Sequence, residues 1–292
     1  MVTQSKLLIW VFLIPAIFLY SLFVVYPIFS TLWTSFFNWG GIGEKVWTGW
    51  SNYTQLLSDE NFINALINTG KYMLFQIPVI VILSLIFSMI IANSANSKKM
   101  RFYRSSIFLP YVIPGVAVAM LWAAVLNPIT GLLNVSLDSI GLGFLAHEWL
   151  ADSSTAFASI IWVKTWHSIG FYTVLILAAL LNIPKEILEA AEVDGANRIQ
   201  RSIYIMIPML KNVLQVVVVF VLINALKIFE EPQLMTRGGP NRATEPISLY
   251  IYEQAFGNYK FGYASAAGFV FFVITFILTL LTLRVMRGRN NE

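Results

Sequence analysis

A bundle of six membrane-spanning α-helices, with both ends of the chain in the cytoplasm, is the fold class this sequence predicts. Three observations carry it. Hydrophobic residues make up 58% of the chain and charged residues 12%, a balance that a soluble domain of this length could not keep in solution. Six apolar runs, at about residues 7–29, 69–92, 106–126, 156–181, 209–229 and 264–285, have lengths suited to crossing a bilayer. Lys and Arg collect in alternate loops, the pattern of cytoplasmic loops in multi-pass proteins. With no internal repeat and no soluble-domain linker, residues 1–292 read as a single all-α membrane domain.

The run at 7–29 is longer than the core of a signal peptide and no small-residue cleavage pattern follows it, so it reads as an anchor. Residues 30–68 turn mixed, with Gly40, Gly41, Gly43 and the pair Asp59 and Glu60, as suits an external connection. Its aromatics Trp47, Trp50 and Tyr53 fit an interfacial belt or an outer docking surface. Lys98, Lys99, Arg101 and Arg104, without an intervening acid, place the next loop inside. The third run contains Pro110 and Pro114, tolerated in a membrane helix where neighbours or water re-satisfy the freed carbonyls. Residues 127–155 hold Asp138, Glu148 and Asp152 but neither Lys nor Arg, and lie outside. Lys185, Arg198, Arg201 and Lys211 put residues 182–208 inside, 230–263 form the last external loop, and Arg284, Arg287 and Arg289 close the sixth run.

Residues 182–208 are a polar island between two apolar runs. Pro184 suits a first helical position, nothing between Lys185 and Asp194 breaks a helix, and Gly195 stands where a left-handed residue would end it. Asn197 and Gln200 have capping-box spacing, Ile199, Ile203 and Ile207 recur at helical intervals, and Pro208 stops or kinks the second helix. The island therefore reads as helix, glycine turn, helix on a membrane surface, with Ala190 and Ala191 as a small-residue patch that another backbone could approach. A helix that merely lies on lipid headgroups fits the same composition.

Several function classes drop out. The chain has no cysteine and two histidines, which leaves no thiolate site and too few imidazoles for a His cluster, so no metal site is expected. The net charge of +4 is spread beside apolar runs and gives no footprint for nucleic acid. No segment has the spacing of a phosphate-binding loop, so any nucleotide chemistry comes from another chain. A secondary transporter predicts acids at span centres, whereas Glu230 and Glu231 sit at an end of the fifth run. A membrane enzyme predicts a His–carboxylate set, which His147 and His167 do not supply, and no catalytic residue is assigned.

The run EAAEVDGA at Glu189–Ala196, with Ile207 and Pro208 following, resembles the EAA motif of ATP-binding-cassette importer permeases. The external segment LMTRGGPNRATEPISLYIYEQAF, then FGYASAAG at Phe261–Gly268, and FLPYVIPGVAVAMLW in the third run resemble the carbohydrate-uptake branch, relatives of the maltose-type subunits. The resemblance implies the type I importer permease fold and a cytoplasmic coupling helix, in which Glu189, Ala190, Ala191, Asp194, Gly195, Ile207 and Pro208 meet an ATPase subunit. It further implies a second, usually different permease, two ATPase subunits that carry ATP and Mg, an extracytoplasmic sugar-binding protein, and a bacterial or archaeal inner membrane as the location. No cofactor belongs to this chain.

The substrate pathway is expected along two polar stripes. Lys164 lies well inside the fourth run, and its helical face continues through His167, Ser168 and Phe171; in the fifth run Asn224, Lys227 and Ile228 lead to Glu231 at like spacings. The resemblance points to the same stretches, which contact sugar in maltose-type relatives. Asn224, Ser168 and His167 would bind hydroxyls, and Trp166 or Phe171 would stack on a sugar face. Lys164 and Lys227 add positive charge that a neutral sugar does not need, which hints at an anionic substrate or at an ion pair such as Lys227 with Glu230 or Glu231.

Overall fold

A computed structural model describes residues 6–92 and 97–288. The chain is helical almost throughout. In order, α1 (Lys6–Tyr20) and α2 (Tyr26–Thr34) are joined by a π-helical turn at Ser21–Val25, and a two-residue hairpin, β1 (Phe37–Asn38) and β2 (Val46–Trp47), leads to α3 (Ser51–Ser58). Then come α4 (Glu60–Ala92), α5 (Ser97–Val112), α6 (Gly115–Val125), α7 (Leu132–Ser139) and α8 (Ser153–Leu180). The island supplies α9 (Lys185–Val193), α10 (Arg198–Arg201) and α11 (Ile207–Met209), and the chain closes with α12 (Lys211–Leu226), α13 (Ile247–Tyr252) and α14 (Phe261–Gly288). Among the described residues four helices are long and apolar enough to cross a membrane, or up to six if each of two bent pairs is one span.

The bends are where the expected spans change. The run at 106–126 is not one straight helix: α5 and α6 meet at 91°. Pro114 has no N–H and keeps the residue before it out of helical geometry, so the break falls at Ile113, while Pro110 is absorbed within α5. The run at 209–229 is likewise bent by 71° from the helical stretch before it, and its helix ends at Leu226. The second span begins earlier than residue 69, at Glu60, because its polar first turns have partners: Asn64 and Asn68 donate to the carbonyl of Arg242 at 3.2 and 2.8 Å, and Asn68 to that of Glu245 at 3.2 Å.

Contacts divide the chain into two units. In the unit of residues 64–249 and 279–292, α8 is the central element. One side of it packs Ile160 and Val163 with Tyr72, Val118 and Ala119, and another packs Tyr172, Ile176 and Leu180 with Ile80, Val217 and Val221. Gly170 lets α5 approach, since a Cβ there would collide with the main-chain carbonyl of Ile107.

In the unit of residues 1–63 and 250–278, the hairpin pairs Phe37 with Trp47 and carries an aromatic cluster in which Phe36 stacks on Trp47 at 5.6 Å and meets Trp50 edge-on at 5.1 Å. Asn52 donates to the carbonyls of Ser35 (2.7 Å) and Phe37 (3.0 Å), which fixes α3 against the hairpin. Trp47 and Trp50 keep outward faces.

Candidate functional site

Lys164 begins a polar patch on α8 that four helices enclose. A cavity of about 70 Å³ is lined by Gln76 and Ile80 from α4, Tyr111 from α5, Lys164, His167, Ser168 and Tyr172 from α8, and Val221 and Asn224 from α12. Its polar groups are held by specific partners. Lys164 Nζ donates to Glu231 Oε1 at 2.9 Å, and Glu231 is fully buried. His167 Nε2 lies 3.0 Å from the carbonyl oxygen of Ile113. Ser168 Oγ donates to the carbonyl of Lys164 at 2.7 Å, the local bond a helical Ser makes with the preceding turn. Asn224 Nδ2 donates to the Tyr172 hydroxyl at 3.1 Å and to the Phe220 carbonyl at 2.9 Å. Gln76 Nε2 and Glu231 Oε2 are buried with no hydrogen-bond partner among the described residues.

Of the two expected stripes, Lys164, His167 and Ser168 reach the cavity and Asn224 joins them from α12. The remaining positions differ. Trp166 is not on the cavity wall: it stands edge-on to Trp122 at 5.5 Å and packs against the core cluster of Tyr72, Val118 and Ile160. Phe171 stacks on Tyr111 at 4.9 Å and is not among the residues that line the cavity. Lys227 follows the last residue of α12, where the helical register is lost, and is exposed; Ile228 is buried in the core. Glu231 is therefore not the next step of the α12 stripe, and its cation is Lys164, not Lys227.

His167 commits Nε2–H to Ile113 and keeps only Nδ1 for another partner. Gln76, Tyr111 and Tyr172 were missing from the expected set. Gln76 is a lone amide in the apolar run after Tyr72, and Tyr172 is eight residues beyond Lys164 on the same face, so both had a signal.

The island forms as helix, turn, helix. Gly195 has φ +82°, and Gly195 and Ala196 donate back to the carbonyls of Glu192 (3.1 Å) and Ala191 (2.9 Å), closing α9. Both halves of the capping box are present, Gln200 N–H to Asn197 Oδ1 at 2.9 Å and Asn197 N–H to Gln200 Oε1 at 2.8 Å. Arg201 bridges back to Glu192 at 2.7 Å and braces the turn. Glu189, Ala190, Asp194 and Gly195 are exposed, and so are Val193, Ile199 and Tyr204. Ala191 is not part of that surface: it is buried, and the small-residue patch reduces to Ala190. Pro208 is exposed and Ile207 half-buried, just before the 71° bend. No group of three or more His, Cys, Asp or Glu side chains lies together among the described residues.

The family described as binding-protein-dependent transport system inner membrane component matches residues 84–289. The chain belongs to that family. It is a sugar ABC importer permease component, a membrane transporter subunit and not an enzyme. The permease is 38% identical to the probable ABC transporter permease protein YurN of Bacillus subtilis, over all of both chains. It is 32% identical to the diacetylchitobiose uptake system permease protein NgcF of Streptomyces coelicolor, over 92% of this chain and 79% of that one. It superposes, with a TM-score of 0.84 and 26% identity, on a chain of a bacterial ABC transporter involved in the import of the acidic polysaccharide alginate, covering 98% of this chain and 96% of that one. A bacterial alginate ABC transporter in complex with an alginate pentasaccharide-bound periplasmic protein gives 0.82 and 27%, with the same coverage.

Proposed function

We propose that this chain is one membrane half of an importer that carries a sugar or sugar derivative into a bacterial or archaeal cell, with ATP and Mg handled by two separate ATPase subunits. In this reading the chain forms one multi-pass permease domain of six spans, each bent pair counting as one, and both termini lie in the cytoplasm. A second, different permease and an extracytoplasmic sugar-binding protein complete the assembly. The uptake functions of its relatives support the substrate class, and the complexed structural neighbour supports the binding protein.

The observation that carries the transport reading is the polar cavity. Polar groups inside an apolar helix set are expensive to desolvate, and buried Gln76 and largely buried Lys164, with the exposed amide of Asn224, line a path that polar cargo can use. Sugar hydroxyls would meet Asn224, Ser168 and the free ring nitrogen of His167. The island is the docking element for the ATPase: Glu189 would pair with a basic group, Ala190 would permit close approach, and Gly195 would turn the chain back toward the membrane between Asp194 and the Ile207–Pro208 exit.

Reconstitution into proteoliposomes with the partner subunits tests this. Sugar uptake should require ATP on the cytoplasmic face and the binding protein on the other. Uptake driven by an ion or proton gradient without ATP would refute it.

A further inference from the structure

We infer that Glu231 sets the charge selectivity of the cavity: it neutralises Lys164, so that the path passes uncharged carbohydrate and rejects acidic sugars. The inference rests on the cavity being the substrate path. Lys164 is the one Lys or Arg on the wall and no carboxylate lines it; besides the imidazole of His167, which gives Nε2–H to Ile113, the other lining side chains are amides, hydroxyls and hydrocarbon. Alone, that ammonium would attract carboxylated or sulfated cargo. Glu231 sits directly behind it, wholly buried, with Oε1 at 2.9 Å from Nζ. An acidic sugar would have to take the ammonium from Glu231 and leave a buried carboxylate uncompensated. A neutral sugar leaves the pair intact and can still use its polar neighbours.

Stability alone does not account for Glu231. Its second oxygen has no hydrogen-bond partner among the described residues, and a buried ion pair with unsatisfied valences contributes little against an apolar pair of similar size. Matching the charge of a wall residue is a role that one bond to Lys164 does fulfil.

The sequence has no cysteine, so a single Asn224→Cys substitution places one reporter thiol in this chain at the cavity. In the assembled transporter, the rates at which an anionic and a cationic methanethiosulfonate (sulfonatoethyl and trimethylammonioethyl) convert it to a mixed disulfide, with methanesulfinate leaving, read the local potential without any need to know the sugar. With Glu231 present, the anion-to-cation rate ratio should match that of a free small thiol. Glu231→Gln should raise it about tenfold or more, Lys164→Met should lower it, and the double variant should return it to the starting value.

An unchanged ratio in Glu231→Gln, or a thiol that reacts with neither reagent at rest or during turnover, overturns the inference. If Glu231→Gln does not assemble, Lys164→Met compared with the double variant carries the same test. Uptake of the transported sugar after this modification separates the two readings. Blocked uptake with a responsive ratio supports both. Undiminished uptake with a responsive ratio overturns the substrate assignment through failure of the path beneath it, while the charge balance stands.

Discussion

His167 Nε2 stands 3.0 Å from the carbonyl oxygen of Ile113, at the corner where α5 turns into α6. Pro114 ends helical geometry there and leaves that carbonyl without a helical N–H, and a side chain from α8 replaces it. His167→Leu leaves a part-buried acceptor unpaired and should cost about 1 kcal/mol. His167→Gln, which still offers an N–H, should recover much of the loss. Thermal unfolding of the purified permease in detergent measures both, and equal losses in the two variants would refute this role.

Gly170 and Gly70 predict opposite outcomes for the same change. A Cβ at Gly170 meets the backbone of Ile107 and Phe108, whereas a Cβ at Gly70 meets nothing within 4 Å. Gly170→Ala should force α5 off α8 at a cost of about 1–3 kcal/mol. Gly70→Ala should be neutral or stabilise by up to about 1 kcal/mol, since helical Gly gives way to a better helix former. Detergent melting curves of the two variants decide it.

Asp59 gives the unit of residues 1–63 and 250–278 an acid-sensitive clasp. Burial pushes its carboxyl up, but hydrogen bonds from the Tyr250 and Tyr263 hydroxyls (2.6 and 2.7 Å) and from the N–H groups of Asn61 and Phe62 outweigh that and hold it below the ordinary 3.8. A depressed folded-state value means that the stabilisation is fully present above 3.8 and is lost as pH falls through the lower folded value. The difference in unfolding midpoint between wild type and Asp59→Asn should therefore be flat from neutral pH down to about pH 5 and shrink in stronger acid. A difference that grows on acidification would contradict this.

Gly195 separates backbone strain from crowding. Its φ of +82° is unfavourable for a residue with a side chain, yet the space around it is open. Gly195→Val should cost about 1–2 kcal/mol locally through the backbone alone and leave insertion and assembly intact. In the proposed coupling role the turn aims α10 back at the membrane, so sugar-stimulated ATP hydrolysis in the reconstituted importer should fall or uncouple from uptake. Gly195→Asn, which tolerates left-handed geometry, should retain more coupling. Normal coupling in the Val variant would remove the turn from the mechanism.

Local rules made much of this legible in the sequence. Gly195, the Asn197–Gln200 box and the Lys164–His167–Ser168 face depend on residues within one or two helical turns of each other, and the structure forms all three. What escaped depends on tertiary partners. The pairing of Lys164 with Glu231 spans 67 positions, and once α12 ends at Leu226, periodicity cannot be carried on to Glu231. Ala191 turned inward because it lies one turn after Leu188 on the face of α9 that packs on the core. Trp166 and Phe171 shared an apolar character that could serve either core or cavity, and packing around Trp122 and Tyr111 decided between them.

The segment Trp10–Thr34 has none of its most apolar window buried within the chain, and it lies outside the part matched by the family. Its first part, residues 10–20, is exposed at every position, so among the described residues nothing dictates which hydrocarbon side chain stands at a given place there. Over generations Leu, Ile, Val and Phe can replace one another there almost freely, while Gly170, Asp59 and Glu231 are each fixed by a neighbour. Homologous chains should then diverge fastest in their first helix, with composition kept and identity lost.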